Sequence, residues 1–372
     1  MNCRIQEINT SDNIGRIIAL SDIHGYAHYL DGVLEKADYS VQDTVVIIGD
    51  MIEKGPESLK TVRRIMELRE NNPKVYVVMG NVEYHRISRF YNDSPEGIAE
   101  FFEMLRWTQK VWKRSLFLDM LDELGISLDN ICSENMASVK QQIYSQYAKE
   151  LDFLWNPPTV LAIGKYIFVH GGIPTDCLQE LENTAALTYM KMDAFLKTDV
   201  SFHRTVVVGH WPVYHYREDE DCLNPLFDYQ KNIVAIDGGC ALKHGNQLNA
   251  LIIPRPDADI RELEYISYDD YPVITAPKSQ KAKEWSVRLR YFDCEVEILE
   301  DHGDVVTLRH IRSGKTFVVP KTYLYFSQGK VCCSDCSDAY LAIEQGDTLS
   351  VIAETSVGSI VKKNGVIGWY RV

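Results

Sequence analysis

At 372 residues the chain has room for one large domain or two ordinary ones. Its 45% hydrophobic and 25% charged residues are the proportions of a soluble globular protein. A formal net charge of -14 and a pI near 5.2 argue against nucleic-acid backbones and anionic membranes as partners, since the basic run from Lys278 to Lys283 is short.

The first residues, Met1 to Arg16, are polar and hold no signal-peptide stretch, and no apolar run is long enough to span a bilayer. The 9 cysteines, an odd and mostly scattered set, suit reduced thiols; together these features predict a cytoplasmic protein. Ile17 to Leu20 reads as a strand running into Ser21-Asp22-Ile23-His24-Gly25, with a helix over Tyr26 to Ala37. Thr44 to Ile48 is the next strand and runs into Gly49-Asp50; a helix over Glu57 to Glu70 is stopped by Asn71-Asn72-Pro73. Val75 to Met79 runs into Gly80-Asn81. This alternation predicts an α/β fold.

From Tyr84 to Asn156 the apolar spacing turns helical, through Phe101, Met104, Leu105, Leu116, Leu118, Leu121 and Leu124. A helical insertion over about 86–156 is expected, either as a cap over one side of a site or as a structural layer. Strands Thr159 to Ile163 and Lys165 to Val169 follow, the second reaching His170-Gly171-Gly172. A helix near Thr184 to Leu196 precedes the strand Thr205 to Val208 and Gly209-His210. Asn232 to Ile236 and Leu248 to Ile253 close a domain at 1–255. Residues 256–284 read as a linker region. Residues 285–372 are all-β in pattern, with strands over Val287 to Leu299, Val305 to Ile311, Thr316 to Pro320 and Leu349 to Glu354, and suit one or two small barrels.

Five apolar strands thus end in Asp, Asn or His beside glycine. Asp22, His24, Asp50, Asn81, His170 and His210 are oxygen and imidazole donors at equivalent places, at the strand ends where ligands collect in α/β sheets. Such donors suit divalent manganese, iron or zinc. Taken alone, Gly49-Asp50 is a turn and a buried His is a core residue; six donors on five strand ends favour a metal site. Cys332-Cys333-Ser334-Asp335-Cys336 is a dense thiol cluster with no second cysteine pair or histidine near it in sequence, which favours reduced thiols over zinc.

As an ordered set, Ser21-Asp22-Ile23-His24-Gly25, Gly49-Asp50 to Gly55-Pro56, Gly80-Asn81-Val82-Glu83, His170-Gly171-Gly172 and Gly209-His210 resemble the motifs of the calcineurin-like metallophosphoesterases, most closely the bacterial phosphoprotein phosphatase (PPP) type. Asp237-Gly238-Gly239-Cys240 with Leu248 to Leu251 resembles their closing segment. The resemblance implies a four-layer αββα sandwich with mixed sheets, followed here by the all-β region. It also implies two divalent metal ions, manganese first, with iron or zinc as alternatives. Asp22 and His24 would bind one ion and Asn81, His170 and His210 the other, with Asp50 shared, and Lys54 would contact the substrate phosphate. The chain departs from the family at several places. Glu53-Lys54 replaces Asp-Arg, Met192 stands in place of a second phosphate-binding Arg, and Val82 replaces the His that protonates the leaving group, so no catalytic acid is assigned. His85, one helical turn on, is a substitute acid or an exposed helix-start residue.

The implied activity is hydrolysis of phosphate esters, of phosphoproteins or small molecules. The alternatives are a dinucleoside polyphosphate hydrolase, since Lys54-Gly55-Pro56-Glu57-Ser58-Leu59 resembles that loop in the diadenosine tetraphosphate hydrolases, and a low-turnover metal-binding scaffold. The tail, with Gly346-Asp347 and Gly368-Trp369-Tyr370, resembles an SH3-like barrel; Trp369 and Tyr370 would line a peptide groove or fill the barrel core.

Overall fold

A computed structural model describes residues 1–9 and 14–371 and divides the chain into two units. The first comprises Met1–Val213, Pro225–Ala241 and Gln247–Tyr268. Its strands are β1 (Ile5–Ile8), β2 (Ile17–Leu20), β3 (Thr44–Ile48), β4 (Val75–Val78), β5 (Val160–Ile163), β6 (Tyr166–Val169), β7 (Thr205–Val208), β8 (Leu226–Asp228), β9 (Ile233–Ala235), β10 (Leu248–Ile253) and β11 (Glu264–Tyr268). Its helices are α1 (Ala27–Lys36), α2 (Ser58–Asn71), α3 (Asn81–Tyr91), α4 (Pro95–Val111), α5 (Leu116–Glu123), α6 (Met136–Trp155), α7 (Leu178–Leu181) and α8 (Ala186–Met190). One sheet runs β1-β5-β6-β7-β9-β8 and the other β11-β10-β2-β3-β4. Both are mixed: β2, β3 and β4 are parallel to one another, while β10 is antiparallel to β2 and β5 to β6.

The side-chain alternation of a strand decides the layers. Ile17, Ala19, Val46, Ile48 and Val78 share one apolar core with Leu161, Ile163, Tyr166, Phe168 and Val207 of the other sheet. The intervening residues Ile18, Leu20, Val45, Ile47, Val75 and Val77 face the opposite way, into a core filled by α1, α2 and the insertion helices. Strands buried on both faces have no polar side to show, hence the unbroken β-branched runs. The insertion is therefore a structural layer: Phe101, Leu105, Leu116, Phe117, Met120 and Leu151 belong to that second core. Two of its helices, α4 and α5, begin at serine caps, Ser94 accepting from Gly97 N–H with Pro95 following, and Ser115 from Leu118 N–H.

In this unit one strand is additional to those expected and one expected helix is shortened. The N-terminal segment, polar in sequence, supplies β1, which pairs in parallel with β5 as an edge strand. The expected helix over 184–196 shrinks to α8, because Lys191, Met192 and Asp193 leave the helix where Met190 and Met192 lie against Gly171: a Cβ there would come within 2.6 Å of Met192 N.

Gly32, inside α1, gives a test of packing against propensity. A helix interior favours Ala over Gly by about 1 kcal/mol. Here an added Cβ would enter the ring of Tyr268, which packs edge-on against Tyr29 at 5.5 Å. Overpacking costs roughly 1–3 kcal/mol and should win. Gly32→Ala is expected to lower the urea midpoint; a higher midpoint would show that Tyr268 swings clear at no cost.

The second unit comprises Tyr214–Asn224, Leu242–Asn246 and Asp269–Val372. It is all-β: β12 (Val273–Thr275), β13 (Arg288–Leu289), β14 (Val296–Asp301), β15 (Val305–His310), β16 (Thr316–Pro320), β17 (Leu324–Ser327), β18 (Lys330–Cys333), β19 (Cys336–Ser337), β20 (Thr348–Thr355), β21 (Gly358–Lys363) and β22 (Val366–Tyr370). These form antiparallel sheets β12-β20-β21-β22, β14-β15-β16, β13-β19 and β17-β18. The strand expected over Val287 to Leu299 is split, because Arg290 to Asp293 form a turn. The stretch expected as a linker supplies a strand to each unit, β11 and β12. Trp369 and Tyr370 are 1% and 5% exposed, so they fill the core and offer no open peptide groove; a peptide ligand for this region is not supported.

A buried charge cluster ties the separate segments of this unit together. Asp221 accepts from Arg290 Nη2 at 2.5 Å, Arg288 Nε at 3.1 Å and Lys243 Nζ at 3.3 Å. Burial opposes its ionisation, but the three cations outweigh it and hold its carboxyl well below the usual range.

Candidate metal centre

Strand register brings the donors together. Leu20 pairs with Ile47 and Ile47 with Val77, so Asp22, Asp50 and Asn81 emerge at one level. Phe168 pairs with Val207, which brings out His170 and His210 together from the other sheet. The loops are strained: Asp22, His24, Asp50 and His210 have φ of 54°, 47°, 51° and 64°, left-handed values that non-glycine residues keep only where their surroundings enforce them.

Asp22, His24 and Asp50 are buried, and each places a ligand-type atom within 4.8 Å of the others. Asp50 Oδ2 lies 3.8 Å from His24 Nε2 and Asp50 Oδ1 lies 3.3 Å from His170 Nε2. Asn81 Oδ1 is 3.2 Å from His170 Nε2, and the rings of His170 and His210 lie 5.3 Å apart. The structure thus gathers all six expected donors.

Hydrogen bonds behind the donors fix their chemistry. His24 Nδ1 donates to the carbonyl of Ile52 at 3.1 Å and His170 Nδ1 to that of Ile48 at 2.8 Å. A carbonyl only accepts, so both rings turn Nε2 inward. There Nε2 of His170 meets Asn81 Oδ1 and Asp50 Oδ1, two acceptors that a proton on Nε2 satisfies and that a bound cation would satisfy in its place. Burial, with Lys54 adding to it, pushes His24 down to about 3, so this ring stays in its neutral, ligating form. Burial disfavours charge on His170 too, but Asp50 and Asp22 outweigh it and lift its pKa to about 10. The donor set fits divalent metal ions.

Glu83, three residues into the α3 loop–helix junction, is a functional residue the sequence does not single out. Its carboxylate accepts from the backbone N–H groups of Asp50, Met51 and Ile52, at 2.9, 2.7 and 3.3 Å, and from Gly80 N–H at 3.2 Å. It holds the Asp50 loop in place, and only its N3 position in the helix signals the role. Arg86 is another such residue. Glu53 accepts from Leu116 N–H at 3.1 Å and pairs with Arg86 Nε at 3.2 Å, so it is committed to the insertion. Val82 packs against the helical core. Lys54 reaches the centre, its Nζ 3.1 Å from His24 Nε2. His85 is half-buried one turn beyond Asn81, where burial, Arg89 and Arg86 lower its pKa. Asp193, beside Met192, lies against His210. Among the described residues, Asp22, His24 and Asp50 form the one group of three or more acidic, histidine or cysteine side chains close enough to hold an ion; the thiol cluster forms none, with Cys333 and Cys336 as a free pair 3.8 Å apart.

Residues 15–239 match the family described as calcineurin-like phosphoesterase. The chain is similar to the symmetrical bis(5'-nucleosyl)-tetraphosphatase of Wigglesworthia glossinidia brevipalpis, 35% identical over 273 residues that cover 62% of this chain and 93% of that protein. The enzyme of the same name from Shewanella oneidensis is 22% identical over 258 residues, covering 59% and 89%. Against those of Cellvibrio japonicus and Pseudomonas entomophila the match is shorter, spanning 26% and 25% of their lengths at 34% and 31% identity. Among solved structures, a protein serine/threonine phosphatase from Saccharomyces cerevisiae aligns with a TM-score of 0.45 at 14% identity, covering 73% of this chain and 84% of that one. A metallophosphoesterase from Sphaerobacter thermophilus aligns with a TM-score of 0.35 at 16% identity, covering 68% and 88%. No helix is long and apolar enough to cross a membrane among the described residues. With a match over more than half its length, this chain belongs to the calcineurin-like phosphoesterase family.

Proposed function

We propose that the protein is a divalent-metal-dependent phosphohydrolase that prefers substrates with stabilised leaving groups, dinucleoside polyphosphates first among them. Asp22, His24, Asp50, Asn81, His170 and His210 would hold the ions. Bound there, they supply Lewis-acid polarisation of the phosphoryl group and activation of water. Lys54, as a point charge at the centre, would meet a phosphoryl oxygen.

The observation that carries the substrate reading is Val82. It packs on the apolar core and has no proton to give, and Glu53 is engaged by Arg86 and Leu116 instead of standing ready to orient an acid. A phosphoserine ester departs as an alkoxide and needs a proton. A nucleoside polyphosphate departs as a stabilised anion and needs far less. The names of the relatives matched over most of their length support the same choice.

General acid catalysis is typically worth roughly 10²–10⁴-fold. With saturating manganese, kcat/KM on diadenosine tetraphosphate and para-nitrophenyl phosphate is expected to exceed that on phosphoserine peptides by about 10²-fold or more. Equal values, or a preference for the phosphopeptide, would overturn the substrate reading; no turnover on any of the three would leave the scaffold reading.

A further inference from the structure

We propose that Asp193 is a positioning residue for the metal centre: it accepts the proton on Nε2 of His210 and so leaves Nδ1 as the nitrogen offered to a divalent cation. The inference rests on the metal-centre reading above.

His210 Nε2 lies 2.7 Å from Asp193 Oδ1. A carboxylate accepts, so the ring nitrogen that faces it carries the hydrogen and the other keeps its lone pair. His24 and His170 are fixed the opposite way, through Nδ1 to backbone carbonyls. Each of the three histidines thus has one dedicated acceptor, but only that of His210 is a side chain and can be removed by substitution.

The segment that carries Asp193 is firmly placed. Gly171 N–H and Gly172 N–H both donate to the carbonyl of Tyr189, at 2.9 and 3.0 Å. Gly171 has no Cβ, which lets Met190 and Met192 lie against it; a Cβ would come within 2.8 Å of Met190 O. Ala194, next to Asp193, takes a left-handed φ of 55°, and Phe195 and Leu196 are buried beyond it. One strap therefore packs on the loop of His170 and reaches the ring of His210. Lys191 Nζ, 3.0 Å from Asp193 Oδ1, turns the carboxylate. The Lys191–Asp193 contact alone is a surface pair and carries little. The His210 side chain, by contrast, is only 10% exposed, although that of Asp193 is 50% exposed, so the contact is shielded from the His210 side alone.

Outer partners of this kind are typically worth about 10–100-fold in metal affinity. The test is calorimetric titration of metal-free wild type, Asp193→Ala and Asp193→Asn with manganese, together with ¹⁵N NMR of the His210 ring in the metal-free proteins. Wild type is expected to show the Nε2–H tautomer. Asp193→Ala should lose it and bind one ion about 10–100-fold more weakly, with the other unchanged. Asp193→Asn, whose amide oxygen still accepts, should recover much of the loss. An Nδ1–H tautomer in wild type, or wild-type affinity for both ions in Asp193→Ala, would overturn the role of Asp193 and leave the metal centre standing. Wild type that binds no manganese would overturn both.

Discussion

Replacing Asp50 by Asn is expected to abolish most of the divalent metal content of the purified protein and, with it, phosphohydrolase activity. Asp50 is the donor on which the others converge. Its Oδ1 accepts from Val82 N–H at 2.9 Å and faces His170 Nε2, while its Oδ2 faces His24 Nε2. The amide oxygen of Asn would keep the bond to Val82. The amide nitrogen would then point two hydrogens at His24 Nε2, the lone pair that should face a cation. One carboxylate charge is lost from a site where burial makes charge count most. Loss of an outer partner typically costs about 10–100-fold in affinity, and loss of a shared donor should exceed that. Metal analysis after dialysis, with circular dichroism to confirm the fold, decides the matter. Undiminished metal in Asp50→Asn would remove Asp50 from the centre and require another assignment of the donors.

Asp221→Ala is expected to destabilise the second unit by about 3–5 kcal/mol, the usual cost of removing one partner from a buried ion pair. Lys243, Arg288 and Arg290 would be left around a cavity with no counter-charge, and two of them, Lys243 and Arg290, are themselves buried. The same carboxylate predicts an acid limb. Its folded pKa lies below the ordinary 3.8, so its contribution is complete above that value and is lost as pH falls beneath it. Wild type should therefore lose stability in this unit below about pH 4, and Asp221→Asn should show a flatter profile there. Hydrogen exchange over residues 288–371 across a denaturant series measures both effects. A change below about 1 kcal/mol in Asp221→Ala would show that the cations find other partners or water.

The difference between these two sites is also a difference in what a sequence can show. The candidate metal centre is built from strand ends, and strand ends are local features. A β-branched run followed by Gly-Asp or Gly-His can be read in isolation, and parallel strands in register must deliver their ends to one edge. For that reason Asp22, His24, Asp50, Asn81, His170 and His210 can be named from the residues alone. The α/β alternation, the helical insertion and the change to short strands after residue 284 are legible on the same grounds, since each follows a period within one segment.

What the sequence by itself determined was thus the set of candidate donors and the alternation that supports them; the missing proton at Val82 was read from the family resemblance. The tertiary structure alone decided how they are held. Glu83 clamps the Asp50 loop, Glu53 turns to Arg86 and Leu116, Asp193 reaches His210, and Asp221 collects cations from the two other segments of the second unit. The tertiary structure also put Trp369 in a core and shortened α8 where Met190 and Met192 had to meet Gly171. The physical reason is range: periodicity and turn chemistry act over a few residues, whereas the partner of a buried charge or ring nitrogen is chosen by proximity in space, across separations such as the 63 residues between Glu53 and Leu116.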